Sequence, residues 1–244
     1  MPSTHCIFTT PLTFNPELNP EWMTIKILEP VNTILTKKTA SGNPLRQSQR
    51  ITKMQKHYPF FQNIIPDDCL LNLANHHLNQ LLSRYSKVLA FRMDFSYQKG
   101  SNRYIRNSTL EIQDDLRELM NAMIAKPAIC GCFWVLEWTR GGAVHAHAIF
   151  YIKGQKHKKS FPFMLEAESA WEDITRSEGK IRWCHAESYH KDNINTIVDH
   201  KNNADVESLR RIVSYLTKED QKYGNPIWGC NEVPPPARQG RPRK

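Results

Sequence analysis

The stretch CFWVLEWTRGGAVHAHAIFYIK, residues 132–153, decides the fold. Two runs rich in aromatic and β-branched residues flank Thr-Arg-Gly-Gly, and a glycine pair between such runs marks a turn. The segment therefore reads as two antiparallel strands, 132–139 and 143–153. On a strand, residues i and i+2 share a face. His145 and His147 project together, while Val144, Ala146, Ala148 and Phe150 project to the other side. A turn centred near Gly141 sets Glu137 opposite His145 and Val135 opposite His147, and directly opposed residues also share a face. One carboxylate and two imidazoles then converge as a facial set of three ligands with open positions, a mixed N/O set that suits Mg²⁺ or Mn²⁺. A His-x-His on a strand is by itself more often ordinary packing. The carboxylate in register changes that reading, because burying all three groups with nothing to bind would be costly.

The flanking sequence supplies the rest of an α+β architecture. Residues 67–85 carry Leu70, Leu71, Ala74, Leu78, Leu81 and Leu82 on one helical face, with His76 and His77 read as packed or partly exposed. KVLAFRMDFSY (87–97) alternates as a strand, with Phe91, Met93 and Phe95 on one side and Arg92, Asp94 and Ser96 on the other. Two charges on one strand face make that face wet or functional. Ser108-Thr-Leu-Glu111 has the spacing of a capping box and starts a helix to about Ile124, with Leu110, Leu116, Leu119, Met120 and Met123 turned inward. Further helices are predicted over 163–177, closed by Gly179, and over 205–222, with a short strand in 180–189. A hairpin requires antiparallel pairing, so the expected fold is a central antiparallel sheet with helices packed on one face.

The organisation expected is an irregular basic N-terminal extension over 1–65, a core domain over 66–225, and a basic proline-rich tail over 226–244. The 244 residues carry 33 Lys and Arg against 24 Asp and Glu, a net charge of +9, and such an excess suggests a polyanionic partner. No apolar run is long enough to span a membrane. The start of the chain lacks the pattern of an export signal, so a cytoplasmic protein is expected. The six cysteines show no CxxC spacing and are expected as thiols. A zinc site built from Cys130, Cys132, Cys184 and His185 would match no common spacing.

A second constellation lies in SLRRIVSYLTKEDQKYG (208–224). Tyr215 and Lys218 are three apart on the predicted helix and so occupy neighbouring positions on one face. An ammonium and a divalent cation near a phenol both favour the phenolate and neutralise charge developing on a phosphate. Arg210 and Arg211, just upstream, are expected at a DNA backbone together with Arg92. Asp94 is expected to orient a ligand histidine by accepting its second N–H; an ion pair with Arg92 is the alternative. Trp134, Trp138, Trp183 and Tyr189 are candidates to stack on bases, with core packing preferred for Trp134 and Trp138.

His-Ala-His (145–147) resembles the histidine–hydrophobe–histidine motif of the HUH endonucleases, and Tyr-Leu-Thr-Lys (215–218) resembles the Tyr-x-x-Lys motif of their rolling-circle replication initiators. FRMDF (91–95), VLEW with GGAVHAHAIF, and RRIVSYLTK followed by WGC are similar to filamentous-phage (inovirus) gene II-type replication proteins and their prophage relatives. The resemblance runs in order from about residue 85 to 230. It implies that Glu137, His145 and His147 hold the divalent ion. Tyr215 would attack a DNA phosphodiester to give a 5′-phosphotyrosine link and a free 3′-hydroxyl, with Lys218 assisting. The implied activity starts rolling-circle replication by nicking and rejoining single-stranded or locally melted origin DNA. No phosphate-binding GxxxxGK[ST] motif accompanies it, so a host helicase is the implied partner. Some initiators use two tyrosines four apart; here the next one, Tyr223, is eight residues on, which favours a single-tyrosine enzyme. Two other classes compete: a non-catalytic DNA-binding protein or repressor derived from this fold, and a metallohydrolase that activates water.

Overall fold

The computed structural model describes residues 64–184, 194, 196–222 and 226–235. The extension read over 1–65 lies outside these residues apart from Ile64 and Ile65, as do His185, Tyr189, Tyr223 and the tail beyond 235. Helix α1 (Asp68–Arg84) starts at Asp67, whose side chain accepts from the Leu70 amide at 2.8 Å and so satisfies a donor that the first turn leaves open. Strand β1 (Lys87–Tyr97) follows, then α2 (Asn102–Arg106) and α3 (Thr109–Ile124). Ser108 caps α3 by accepting from the Glu111 amide at 3.3 Å. The hairpin is β2 (Ile129–Trp138) and β3 (Val144–Lys153). After it come α4 (Phe161–Ile174), β4 (Gly179–Cys184), β5 (Ile197–Asp199), α5 (Asn203–Ser214), a 3₁₀ turn over Tyr215–Thr217 and β6 (Trp228–Cys230).

All six strands pair antiparallel in the order β4-β1-β3-β2-β6, with β5 beside the first residues of β1. The expected α+β class with an antiparallel sheet is what the chain forms. Helices cover both faces of that sheet, however, rather than one. On one face Phe91, Met93, Phe95, Trp134, Leu136, Ala148 and Phe150 pack against α3 and α4. On the other, Val88, Ala90, Phe133, Val135, Ile149 and Tyr151 pack against α1 and α5. The near-continuous apolar runs of β2 and β3 are the physical cause, since a strand buried on both sides has no polar face to alternate.

Four expectations change locally. Leu110 is 72 % exposed, and Ile112, two residues later, takes the inward position. The helix ends at Ser214 instead of running to Lys222. There Thr217 Oγ1 donates to the Ser214 carbonyl at 2.8 Å, and the Asp67 amide donates to the Thr217 carbonyl at 2.7 Å, so the last carbonyls find partners outside the helix and the chain tightens and turns away. Gly179 opens β4 rather than closing α4. The boundary read at 226 falls inside the fold: Trp228 stacks on Phe133 with ring centroids 5.6 Å apart. Beside it, Gly229 lies so close to the Trp134 indole that a Cβ would come within 2.7 Å of it. Those contacts make 228–230 the last strand of the sheet.

A bulge between Ile129 and Gly131 places Cys130 in the α1 and α5 core and Cys132 in the α3 and α4 core. The two sulfurs therefore cannot share a metal, which removes the zinc arrangement. Cys130, Cys132, Cys184 and Cys230 are in no disulfide, as expected for thiols.

His76 is exposed and His77 buried. The ring Nε2–H of His77 donates to Asn231 Oδ1 at 3.2 Å, while Nδ1 has no partner. Burial holds His77 down at about 4, from an ordinary value of 6.5. The unfolded chain therefore takes up a proton on this ring between pH 6.5 and 4 that the folded chain refuses, so stability is lost as pH falls through that window. A fully buried histidine shifted this far contributes about 3 kcal/mol. Urea unfolding midpoints measured from pH 7 to pH 4.5 should fall steadily, and His77→Gln should flatten part of that slope.

Candidate metal centre and the tyrosine beside it

The site lies on the α1 and α5 face of the sheet, beside the turn that follows α5. Along β3 that face reads Tyr151, Ile149, His147, His145, passing from core to polar cluster. Along β2 it reads Phe133, Val135, Glu137, and along β1 Val88, Ala90, Arg92, Asp94. The register sets Glu137 opposite His145, Val135 opposite His147, and Asp94 opposite His147 from the other side. His147 is thus flanked by carboxylates from both neighbouring strands.

Its Nε2 lies 2.9 Å from Glu137 Oε2 and 3.2 Å from His145 Nε2, and His145 Nε2 lies 3.9 Å from Glu137 Oε2. One donor atom from each residue falls within 4.8 Å of the others. The opposite ring nitrogen, Nδ1, is 2.5 Å from Asp94 Oδ1. Burial alone would raise the Asp94 carboxyl, but the hydrogen bond and charge of His147, with Arg92, outweigh it and hold Asp94 well below the usual carboxylate range. An ionised Asp94 can only accept, so Nδ1 of His147 carries the proton. Arg92 Nη2, although 2.9 Å from that nitrogen, makes its own hydrogen bond to Asp94 Oδ1 at 3.0 Å. His147 Nε2 converges with Glu137 Oε2 and His145 Nε2, and a bound cation would take the place of the proton shared between Nε2 and the Glu137 carboxylate. Three electron-rich atoms aimed at one point form the donor set that a cation satisfies, and the residues present fit a divalent ion.

The protonation states favour ligation as well. Burial, and then the neighbouring His147, push His145 down to about 4, so it is a neutral imidazole at neutral pH with a lone pair to offer. For Glu137, burial raises the carboxyl, but the hydrogen bond and charge of His147 and the Lys222 ammonium bring it down to about 2. It is a carboxylate throughout the physiological range.

Tyr215 is the C-cap of α5 and the first residue of the 3₁₀ turn. Its ring stands edge-on to His147 with centroids 5.8 Å apart. The Arg92 guanidinium lies over it at 4.2 Å and Lys218 Nζ at 5.0 Å from its centroid. The tyrosine and the three donors, far apart in sequence, meet in one place. Lys218 is brought there beyond the end of the helix, in extended backbone, and its Nζ lies 3.0 Å from Glu137 Oε2.

The three arginines expected at a DNA backbone take three different positions. Arg92 sits beneath Tyr215 inside the cluster. Arg210 donates to Asn75 Oδ1 and Asn79 Oδ1, both at 2.6 Å, which clamps α5 to α1 and commits its guanidinium to packing. Arg211 is half-buried on the same helix. Trp134 is buried in the core, Trp138 packs against it, and Trp183 meets Phe161 edge-on at 5.4 Å.

Lys222 is the site residue that sequence reasoning missed. Its ammonium is buried, 2.7 Å from Glu137 Oε1 and 2.5 Å from the Lys218 carbonyl, and burial lowers its pKa. No local pattern announces it; the signal available was that a buried Glu137 demands cationic partners. Two carboxylates thus face two lysines and an arginine, so the cluster is cationic before any ion binds. That excess suits a polyanion.

Comparisons with protein-family models, with curated proteins and with solved structures find no match. No helix among the described residues is long and apolar enough to cross a membrane.

Proposed function

We propose that this chain is a metal-dependent DNA nicking and joining enzyme of the HUH single-tyrosine type, acting on single-stranded origin DNA to start rolling-circle replication of a phage, prophage or plasmid. The observation that carries the reading is the meeting of Tyr215 with the Glu137, His145 and His147 donors in a cationic cluster. A divalent ion held there, Mg²⁺ or Mn²⁺, would withdraw electron density from a phosphate oxygen and make phosphorus more electrophilic. Tyr215 Oη forms a bond to phosphorus as the bond from phosphorus to the 3′-oxygen breaks. The phenolic proton leaves to solvent and the departing 3′-oxygen gains one. One phosphoester replaces another, so the strand can be rejoined by the reverse step. Arg92 and Lys218, on the ring of Tyr215, stabilise the charge that develops between phenol and phosphate.

The same face offers a path for the phosphate backbone. Lys180 and Arg182 are exposed on β4, in register with Ser96 and Asp94, and make no ion pair among the described residues. Replacing both by alanine should lower the slope of log affinity against log salt by roughly 0.7 for each phosphate contact removed, measured by fluorescence anisotropy on a single-stranded oligonucleotide.

One observation favours a second reading. Both oxygens of Glu137 already meet ammonium groups, which would suffice for a structural ion-pair cluster in a DNA-binding protein or repressor that does not cut. The two readings separate on an SDS gel of the purified protein incubated with single-stranded origin DNA and Mn²⁺. A covalent protein–DNA adduct that EDTA prevents is expected. Tight, salt-sensitive binding that never yields an adduct would transfer the case to the repressor.

A further inference from the structure

We infer that Lys222 is a positioning residue: it holds Glu137 to one-oxygen ligation, weakens the grip on the metal, and ties the metal ligand to the tyrosine turn. This rests on the reading of Glu137, His145 and His147 as a metal centre.

The geometry divides the Glu137 carboxylate into two halves. Oε2 faces the two histidines and the more exposed Lys218 Nζ, 3.0 Å away, and Oε1 accepts from Lys222 Nζ at 2.7 Å. The lysine side chain is 2 % exposed and that of Glu137 is 0 % exposed, so neither can swing into solvent at small cost. With Oε1 held, the carboxylate presents a single oxygen to an ion, and the buried positive charge beside it opposes a second one. The same ammonium donates to the Lys218 carbonyl at 2.5 Å. The segment it spans is tied to β2 by the Trp138 amide, which donates to the Gln221 carbonyl at 2.9 Å, and to the start of α1 by the Glu219 amide, which donates to the Ile65 carbonyl at 2.7 Å. Lys218 Nζ also donates to Gln221 Oε1 at 3.0 Å. One buried ammonium therefore connects the carboxylate ligand with the turn that begins at Tyr215.

Two opposite effects follow from removing that charge. An ion should bind more tightly, because a cation a few ångströms away no longer repels it and both carboxylate oxygens become available. Strand transfer should slow, because the 215–218 turn loses its link to the ligand. A lysine that only stabilised the fold would weaken both.

The test measures Mn²⁺ affinity by electron paramagnetic resonance, and adduct formation at saturating Mn²⁺, for the wild type, Lys222→Met and Lys222→Gln. The glutamine keeps a hydrogen-bond donor in place should the methionine variant not fold, and circular dichroism reports folding. Mn²⁺ affinity is expected to rise about tenfold in the neutral variants, while adduct formation falls about tenfold. Affinity that is unchanged or lower in a folded variant overturns the role of Lys222 and leaves the metal centre standing. A wild-type protein that binds no Mn²⁺ overturns the metal centre itself, and this inference with it.

Discussion

Tyr215→Phe is expected to abolish the covalent adduct, with a loss of at least ~10³-fold in strand transfer, while metal and DNA binding stay within a few fold of wild type. The substitution removes one oxygen and keeps the ring. The edge-on contact with His147 and the Arg92 guanidinium over the ring face both persist, so the surroundings have no reason to rearrange. Leu216 and Thr217, which follow Tyr215, are buried, and they rather than the hydroxyl hold the turn in place. The readout is a denaturing gel with the oligonucleotide labelled at either end. The wild type should retain the 5′-phosphate side of the cut and release the 3′-hydroxyl side. An adduct that survives in Tyr215→Phe assigns the nucleophile to another residue. Cutting at the wild-type rate with no adduct assigns it to water and makes the chain a metallohydrolase.

The site was legible to different depths in its different parts. Glu137, His145 and His147 could be brought together from sequence because hairpin register is arithmetic: once the turn is centred at Gly141, every cross-strand pair is fixed. Asp94 could be suspected from its strand face, but the distance to His147 required the order of strands, and β1 beside β3 is a tertiary fact. The motif singles out Tyr215 but says nothing of its surroundings. The helix that was to carry both Tyr215 and Lys218 stops at Ser214, because carbonyls near its end are met by Thr217 and the chain then pairs near Pro66. Nothing local in LTKEDQK encodes that partner. Arg92 and Arg210 illustrate the same limit. Their charge suggested a surface role, and only packing decides that one guanidinium covers a tyrosine while the other clamps two helices. The second helical layer was available in principle, since continuous apolar runs such as CFWVL and AIFYI signal a strand covered on both sides.

His147→Ala should lower Mn²⁺ affinity by more than the roughly 10–100-fold typical of losing a supporting partner, whereas Asp94→Asn should fall within that range. The order follows from position. His147 is the middle donor, within 2.9 Å of Glu137 and 3.2 Å of His145; without it the remaining two donors stand 3.9 Å apart with no third group to complete the facial set. Asparagine at 94 preserves the shape, and its oxygen can still accept from Nδ1–H. It surrenders the negative charge that makes the opposite nitrogen a better donor and that neutralises Arg92. Both variants keep Lys180, Arg182 and Lys218, so single-stranded DNA should bind each of them nearly as well as the wild type when EDTA is present. Isothermal titration with Mn²⁺, followed by adduct formation over a range of Mn²⁺ concentrations, separates the two contributions. Asp94→Asn should recover most of its activity at high Mn²⁺, because its ligands remain. His147→Ala should not, because the tyrosine then faces an incomplete centre. Undiminished adduct formation by His147→Ala in EDTA would mean that the cationic side chains alone activate the phosphate, and that the imidazole pair serves only to hold Glu137 and Asp94 apart.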